Sequence, residues 1–129
     1  MLVVDASCLY EVLVGSPGAR AVARRLSADD DHMAPHVIDA EVLGVIRRDR
    51  LLGRLDATAA DQAVEDLRDW PGERVGHRGL LQRAWELRER ARPWDALYVA
   101  LAEATGATLI TLDARLARVG GLECEIEVL

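Results

Sequence analysis

Residues 93–118 read PWDALYVALAEATGATLITLDARLAR, a helical pattern that runs almost directly into a strand pattern, with an acid near the start of the one and past the end of the other. Trp94, Leu97, Tyr98 and Leu101 recur at helical spacing, which predicts an amphipathic helix opening on Asp95 and packing one face on a core. Gly106 stops it, because a residue without Cβ takes the left-handed turn that commonly ends helices. Thr108–Thr111 is then a short apolar strand, and Asp113 stands just beyond it.

Working outward, Leu2–Val4 is a short buried strand that ends on Asp5, followed by Ser7 and an apolar, helical run through Val14. Pro17 opens a second helix to about Leu26; Ala28–Asp31 is a polar loop, and His32–Ala34 a short strand. Val37–Leu52 carries Val37, Ile38, Val42, Val45 and Ile46 on one helical face. Another helix spans about Thr58 to Trp70, and Pro71-Gly72 breaks it before a minimal strand at Arg74-Val75. Leu80–Ala91 is helical, with Leu81, Ala84, Trp85 and Leu87 available for packing, and a last strand covers about Cys124–Val128. Strands separated by helices require crossover connections, so the expected fold is α/β: a three-layer α/β/α sandwich around a mainly parallel sheet. Ligands in such sheets collect beyond the carboxyl ends of the strands, where Asp5 and Asp113 both belong.

A chain of 129 residues, half of them apolar, suits one domain with a real core, taken as residues 1–129. No apolar run approaches the roughly 18 residues of a membrane span, and the N-terminus has no basic-then-apolar lead, so a cytoplasmic protein is expected. Cys8 and Cys124 show no metal-finger spacing and read as reduced thiols. A net charge of -6 argues against broad attraction to phosphate backbones, yet every basic residue is arginine, whose fork still grips individual phosphates. The absence of lysine excludes any mechanism that needs a catalytic one.

Asp5, Asp95 and Asp113 each have a local explanation as a helix cap or first-turn acid. Glu41 does not: its neighbours one turn away are Val37, Ile38, Gly44 and Val45, with no arginine among them. Asp39, in a first turn, is explained by the helix dipole and is set aside. Unpaired carboxylates in a partly dry cleft repel unless they shift pKa or share a cation. Oxygen ligands suit Mg²⁺ or Mn²⁺, and the matching chemistry is phosphodiester hydrolysis by metal-activated water. If the acids stay uncompensated without metal, neutralising Asp95 or Asp113 is expected to stabilise the metal-free fold.

Four segments together resemble the PIN-domain ribonucleases of the VapC toxin type: VVDAS, the P-x-x-x-D-A-E-V helix, D-A-L-Y-V-A-L-A-E, and L-I-T-L-D-A-R-L, in the family's order over nearly the whole chain. The resemblance implies Asp5, Glu41, Asp95 and Asp113 as the catalytic and metal-binding quartet, with Ser7 and Thr111 as supporting hydroxyls. It further implies a Mg²⁺- or Mn²⁺-dependent endoribonuclease and toxin, a homodimer, RNA as substrate, and a small DNA-binding antitoxin as partner. Trp94 and Leu112, beside two of the acids, are bulkier than the residues usual in those places.

Other features carry less. His32, His36 and His77 lack ligand spacing; Trp70, Trp85 and Tyr98 read as core or dimer contacts rather than base-stacking platforms. Arg20, Arg24, Arg25, Arg47, Arg48 and Arg50 read mainly as solvated helix faces, with a groove rim for RNA as the other reading. A response-regulator receiver needs a lysine, a haloacid-dehalogenase-like phosphatase needs a D-x-D strand end, and a nucleotide-binding module needs a glycine-rich loop, all missing here. The serious alternative is a PIN-like domain that binds RNA or protein without cutting.

Overall fold

The computed structural model describes residues 1–129. Five strands form one sheet: β1 Leu2–Val4, β2 His32–Pro35, β3 Glu73–Val75, β4 Thr108–Thr111 and β5 Ile126–Val128. They lie in the order β3-β2-β1-β4-β5, every pairing parallel. Six helices connect them: α1 Ala6–Val14, α2 Ala19–Ser27, α3 Val37–Leu51, α4 Ala57–Asp69, α5 Leu81–Glu86 and α6 Pro93–Thr105. The chain steps from β1 to β2 to β3 in one direction, then crosses back to β4 on the other side of β1. Because crossovers are right-handed, that reversal carries α5 and α6 to the face opposite α1–α4, which pack on one another. The strand order therefore switches between β1 and β4, and the chain just past both strands faces the same crevice.

The sheet is short and fully covered, so its central strands lack the alternation of a half-exposed sheet: Leu2, Val3 and Val4 are all buried, as are Leu109, Ile110 and Thr111. The helix α6 corrects the amphipathic expectation. Every residue from Ala96 to Ala102 is buried, since α6 lies across β1, β2 and β4 with α5 against its other side. The alanines at 96, 100 and 102 let both layers approach closely. Trp94, expected on the core face, is 53% exposed at the helix's open end. Gly106 does end α6, in the left-handed conformation at φ 71°.

Three boundaries also moved. The expected helix Leu80–Ala91 shrinks to a 3₁₀ turn, Arg78–Leu80, and the six residues of α5. Leu81 and Trp85 are 55% and 65% exposed, so the packed face is confined to Leu80, Ala84, Leu87 and Ala91, and three-residue steps such as Arg88 N–H to the Trp85 carbonyl turn the chain toward Pro93. Pro17 sits before α2 rather than in it, because the Gly18 N–H donates to Glu11 Oε1 at 2.8 Å and the helix begins after that bond. The last strand is Ile126–Val128, shorter than expected at the sheet edge.

Arg74 on β3 shows how the outer layer is tied down. Its guanidinium donates to the carbonyls of Leu67, Trp70 and Gly72, stacks 4.8 Å from the Trp70 ring, and meets Asp39 Oδ1 at 3.0 Å. One side chain thus satisfies carbonyls at and beyond the C-terminal end of α4, sharing that of Leu67 with the Trp70 N–H at 3.4 Å. Arg74→Ala is expected to lower stability by roughly 2 kcal/mol, and Arg74→Lys to recover little of it, since an ammonium cannot reproduce the fork or the stacking. Urea unfolding of the three proteins measures this; equal midpoints would show that Arg74 is not a structural tie.

Candidate active site

At the switch between β1 and β4 the backbone turns into α1 on one side and into a 3₁₀ turn, Leu116–Arg118, on the other. Asp5 ends β1 and is only 8% exposed. It occupies the N-cap position of α1, yet its carboxylate does not cap the helix. Instead Oδ2 accepts from Ser7 Oγ at 2.6 Å and from Thr111 Oγ1 at 2.8 Å. Ser7 Oγ in turn accepts from the Leu112 N–H at 3.1 Å, and Thr111 Oγ1 from the Asp113 N–H at 3.0 Å. Four polar groups from two strand ends therefore fix one carboxylate, which gives Ser7 and Thr111 definite positioning roles. Burial raises the Asp5 pKa, the two hydroxyls oppose that shift, and the charge of Asp95 adds to it.

Glu41, on α3, reaches the same place from the side. Its Oε1 accepts from Tyr98 Oη at 2.9 Å, and Tyr98 is wholly buried in α6. Burial pushes Glu41 up to about 7; the Tyr98 hydroxyl resists this, and the charges of Asp5 and Asp95 reinforce it. Burial raises Tyr98, with the charge of Glu41 adding to it, so its proton stays on the phenol. Asp95, in the first turn of α6, meets Arg92 Nε at 3.2 Å. Asp113 is held by Arg115 at both oxygens, at 3.0 and 2.9 Å, and this ion pair keeps its pKa below the usual carboxylate range.

Asp5, Glu41, Asp95 and Asp113 all line one cleft of about 450 Å³, with Ser7, Arg48, Arg92, Trp94 and Leu112 also on its walls. The structure thus brings the sequence-predicted residues together, and it corrects one feature of them: two of the four acids are compensated by arginine. As the side chains stand, no three acids close into a ready ligand shell. Asp39 is elsewhere, paired with Arg74.

Residues 2–122 match the PIN domain. The chain belongs to the PIN-domain family. Over 118 residues it is 44% identical to ribonuclease VapC3 of Mycobacterium tuberculosis, covering 91% of this chain and 85% of that one. Among solved structures, PAE2754 of Pyrobaculum aerophilum superposes with a TM-score of 0.73 at 24% identity, covering 98% of this chain and 83% of that one. VapBC2 of Rickettsia felis, solved with a DNA fragment from its promoter, does so at 0.69 and 14%, covering 99% and 98%. The PIN domain described here is of the VapC type.

The donors of this PIN domain fit a hard divalent cation. They are all oxygen, and the two most enclosed, Asp5 and Glu41, meet hydroxyls rather than any arginine, so their charge has no cationic partner within the protein. Sequence reasoning missed three residues of the site. Tyr98 reads as a packing residue in the sequence, although it lies three residues after Asp95 and so on the same helix face. Arg92 lies three residues before Asp95, and Arg115 two after Asp113; that spacing was the available signal. Of the arginines considered for a groove rim, Arg48 alone lines the cleft. Neither cysteine is part of it: both are free, and burial pushes the Cys8 thiol up to about 12. His77 is a structural acceptor for the Val37 N–H at 3.0 Å.

Proposed function

We propose that this PIN domain is a Mg²⁺- or Mn²⁺-dependent endoribonuclease, residues 1–129 acting as one nuclease domain, and the toxin of a VapBC-type pair. The observation that carries the reading is the convergence of Asp5, Glu41, Asp95 and Asp113 on one cleft at the switch point of the sheet. These four would hold the cation. When bound, it supplies positive charge to phosphodiester oxygens and lowers the pKa of a water ligand. Ser7 and Thr111 keep the Asp5 carboxylate from rotating, and Tyr98 does the same for Glu41. Trp94 and Leu112 supply the bulky part of the cleft wall. A module that only bound RNA or protein would have no use for a buried carboxylate and a second, half-buried one without an arginine partner.

The VapC likeness supports a cytoplasmic RNA substrate, a small DNA-binding antitoxin and a homodimer; no helix is long and apolar enough to cross a membrane. Leu81, Trp85 and Trp94, together in one exposed apolar groove, supply area for the dimer contact. Induced alone in a bacterial host, the protein is expected to arrest growth, and a cognate antitoxin encoded beside it to restore growth by laying a segment across the acidic cleft. Colony counts and RNA integrity after induction measure both. Full-length, soluble protein that leaves growth and RNA untouched would overturn the toxin reading.

A further inference from the structure

We propose that Arg92 and Arg115 are exchangeable counter-charges: they neutralise Asp95 and Asp113 until a divalent cation takes those carboxylates, and then hold a backbone phosphate of the bound RNA. This rests on the nuclease reading above. Beside the acidic cleft lies a second cavity of about 220 Å³, lined by Arg90, Arg92, Arg115, Leu116 and Val119. Asp95 and Asp113 line both spaces, as does Arg92. Arg115 borders only the second cavity, whereas Arg92 borders both it and the cleft.

The exposures say which partner of each pair can leave. The Asp95 and Asp113 side chains are 25% and 27% exposed, but those of Arg92 and Arg115 are 69% and 76% exposed. Such pairs are weakly held, because water solvates a guanidinium nearly as well as the carboxylate does. A cation bound by the two acids would leave both forks without a partner, beside a third, Arg90, tied to the Gly120 carbonyl at 3.1 Å. The cavity then holds three positive groups in a chain whose net charge is -6. A guanidinium fork matches two phosphate oxygens as well as it matches a carboxylate, so a phosphate is the replacement partner. Two consequences follow by linkage: without RNA the arginines compete with the metal, and with RNA they make metal and RNA binding cooperative.

The test uses the full chain, Mn²⁺ alone in calorimetric titration, and a phosphorothioate-linked single-stranded oligoribonucleotide in fluorescence anisotropy. Without RNA, Arg115→Gln should tighten Mn²⁺ binding by about two- to fivefold, the worth of an exposed pair. With Mn²⁺ present, the same change should weaken RNA binding and lower the slope of log K against log salt by about 0.7, one phosphate contact on a single strand. With chelator, it should leave RNA affinity as in the parent. Arg92→Gln should behave alike, Arg115→Lys should keep part of the slope, and Arg68→Gln, on the distant surface of α4, should change nothing. A merely structural arginine would not shift the two affinities in opposite directions. If the parent binds Mn²⁺ and cleaves RNA while both Gln variants keep parental metal affinity and salt slope, the exchange is wrong and the nuclease reading stands. A parent that neither binds Mn²⁺ nor cleaves RNA would overturn both.

Discussion

Asp5→Asn, Glu41→Gln, Asp95→Asn and Asp113→Asn are each expected to cut metal-dependent RNA cleavage by at least about tenfold, since each removes a charge that holds the cation. Asp5→Asn should be the most damaging. Its carboxylate is the most enclosed, and the bonds from Ser7 and Thr111 would hold an amide in the same place without the charge. Glu41→Gln keeps an acceptor for the Tyr98 hydroxyl, so its loss reports charge rather than misfolding. Asp39→Asn is the control on the same helix, two residues away but paired with Arg74, and should stay near the parent rate. Initial rates on a single-stranded RNA with Mn²⁺, alongside thermal melts to confirm folding, decide it. An Asp39 variant as impaired as the Glu41 variant would show that the wrong acid of α3 has been placed in the site.

Helical spacing makes the apolar surroundings of Glu41 legible in sequence, and the first-turn position sets Asp39 apart, but the Arg74 partner that occupies Asp39 is tertiary. The strands Leu2–Val4 and Thr108–Thr111 were legible for a related reason: both are buried on two faces and bounded by polar residues and turns, so a short apolar run has one reading. What escaped was tertiary. Tyr98 looks like any core aromatic until the Glu41 side chain from α3 reaches its hydroxyl, a contact between residues 57 apart in sequence. The full burial of α6 was hidden because its small residues, Ala96, Ala100 and Ala102, do not announce a second packed face. In α5 the error ran the other way: Leu81 and Trp85 have core-like identities and solvent-exposed positions. The compensation of Asp95 and Asp113 went unread because Arg92 is the N-cap before α6 and Arg115 lies in a turn, so neither stands inside a helix, where such partners are sought.

That compensation reverses the sequence-based expectation about which acid strains the metal-free fold. Neutralising Asp113 should not stabilise it, because Arg115 holds its folded pKa below its ordinary 3.8; the pair's contribution is present above that value and lost as pH falls through the lower folded pKa. The strain lies in Asp5 and Glu41. Glu41 ordinarily titrates at 4.5 and in the fold at about 7. Below the lower value both folded and unfolded chains hold the proton; between the two only the folded chain does; above the upper one neither does. Its penalty therefore grows as pH rises from about 4.5 and is complete above about 7. With chelator, Glu41→Gln should raise stability at pH 8 by on the order of 1–2 kcal/mol, since solvent screens this half-buried group, and leave it nearly unchanged at pH 4. Metal should relieve the same strain in the parent: at roughly a hundred times its Kd, Mn²⁺ adds about 2.7 kcal/mol, a shift of several degrees in Tm for a domain of this size. The variant with all four acids neutralised should show almost none of that shift, since no charge remains to hold the ion. Thermal unfolding of parent, Glu41→Gln and quadruple variant at both pH values, with chelator and with Mn²⁺, separates these effects. Equal Mn²⁺ responses in parent and quadruple variant would mean that the four acids do not form one site, and the nuclease reading would lose its physical basis.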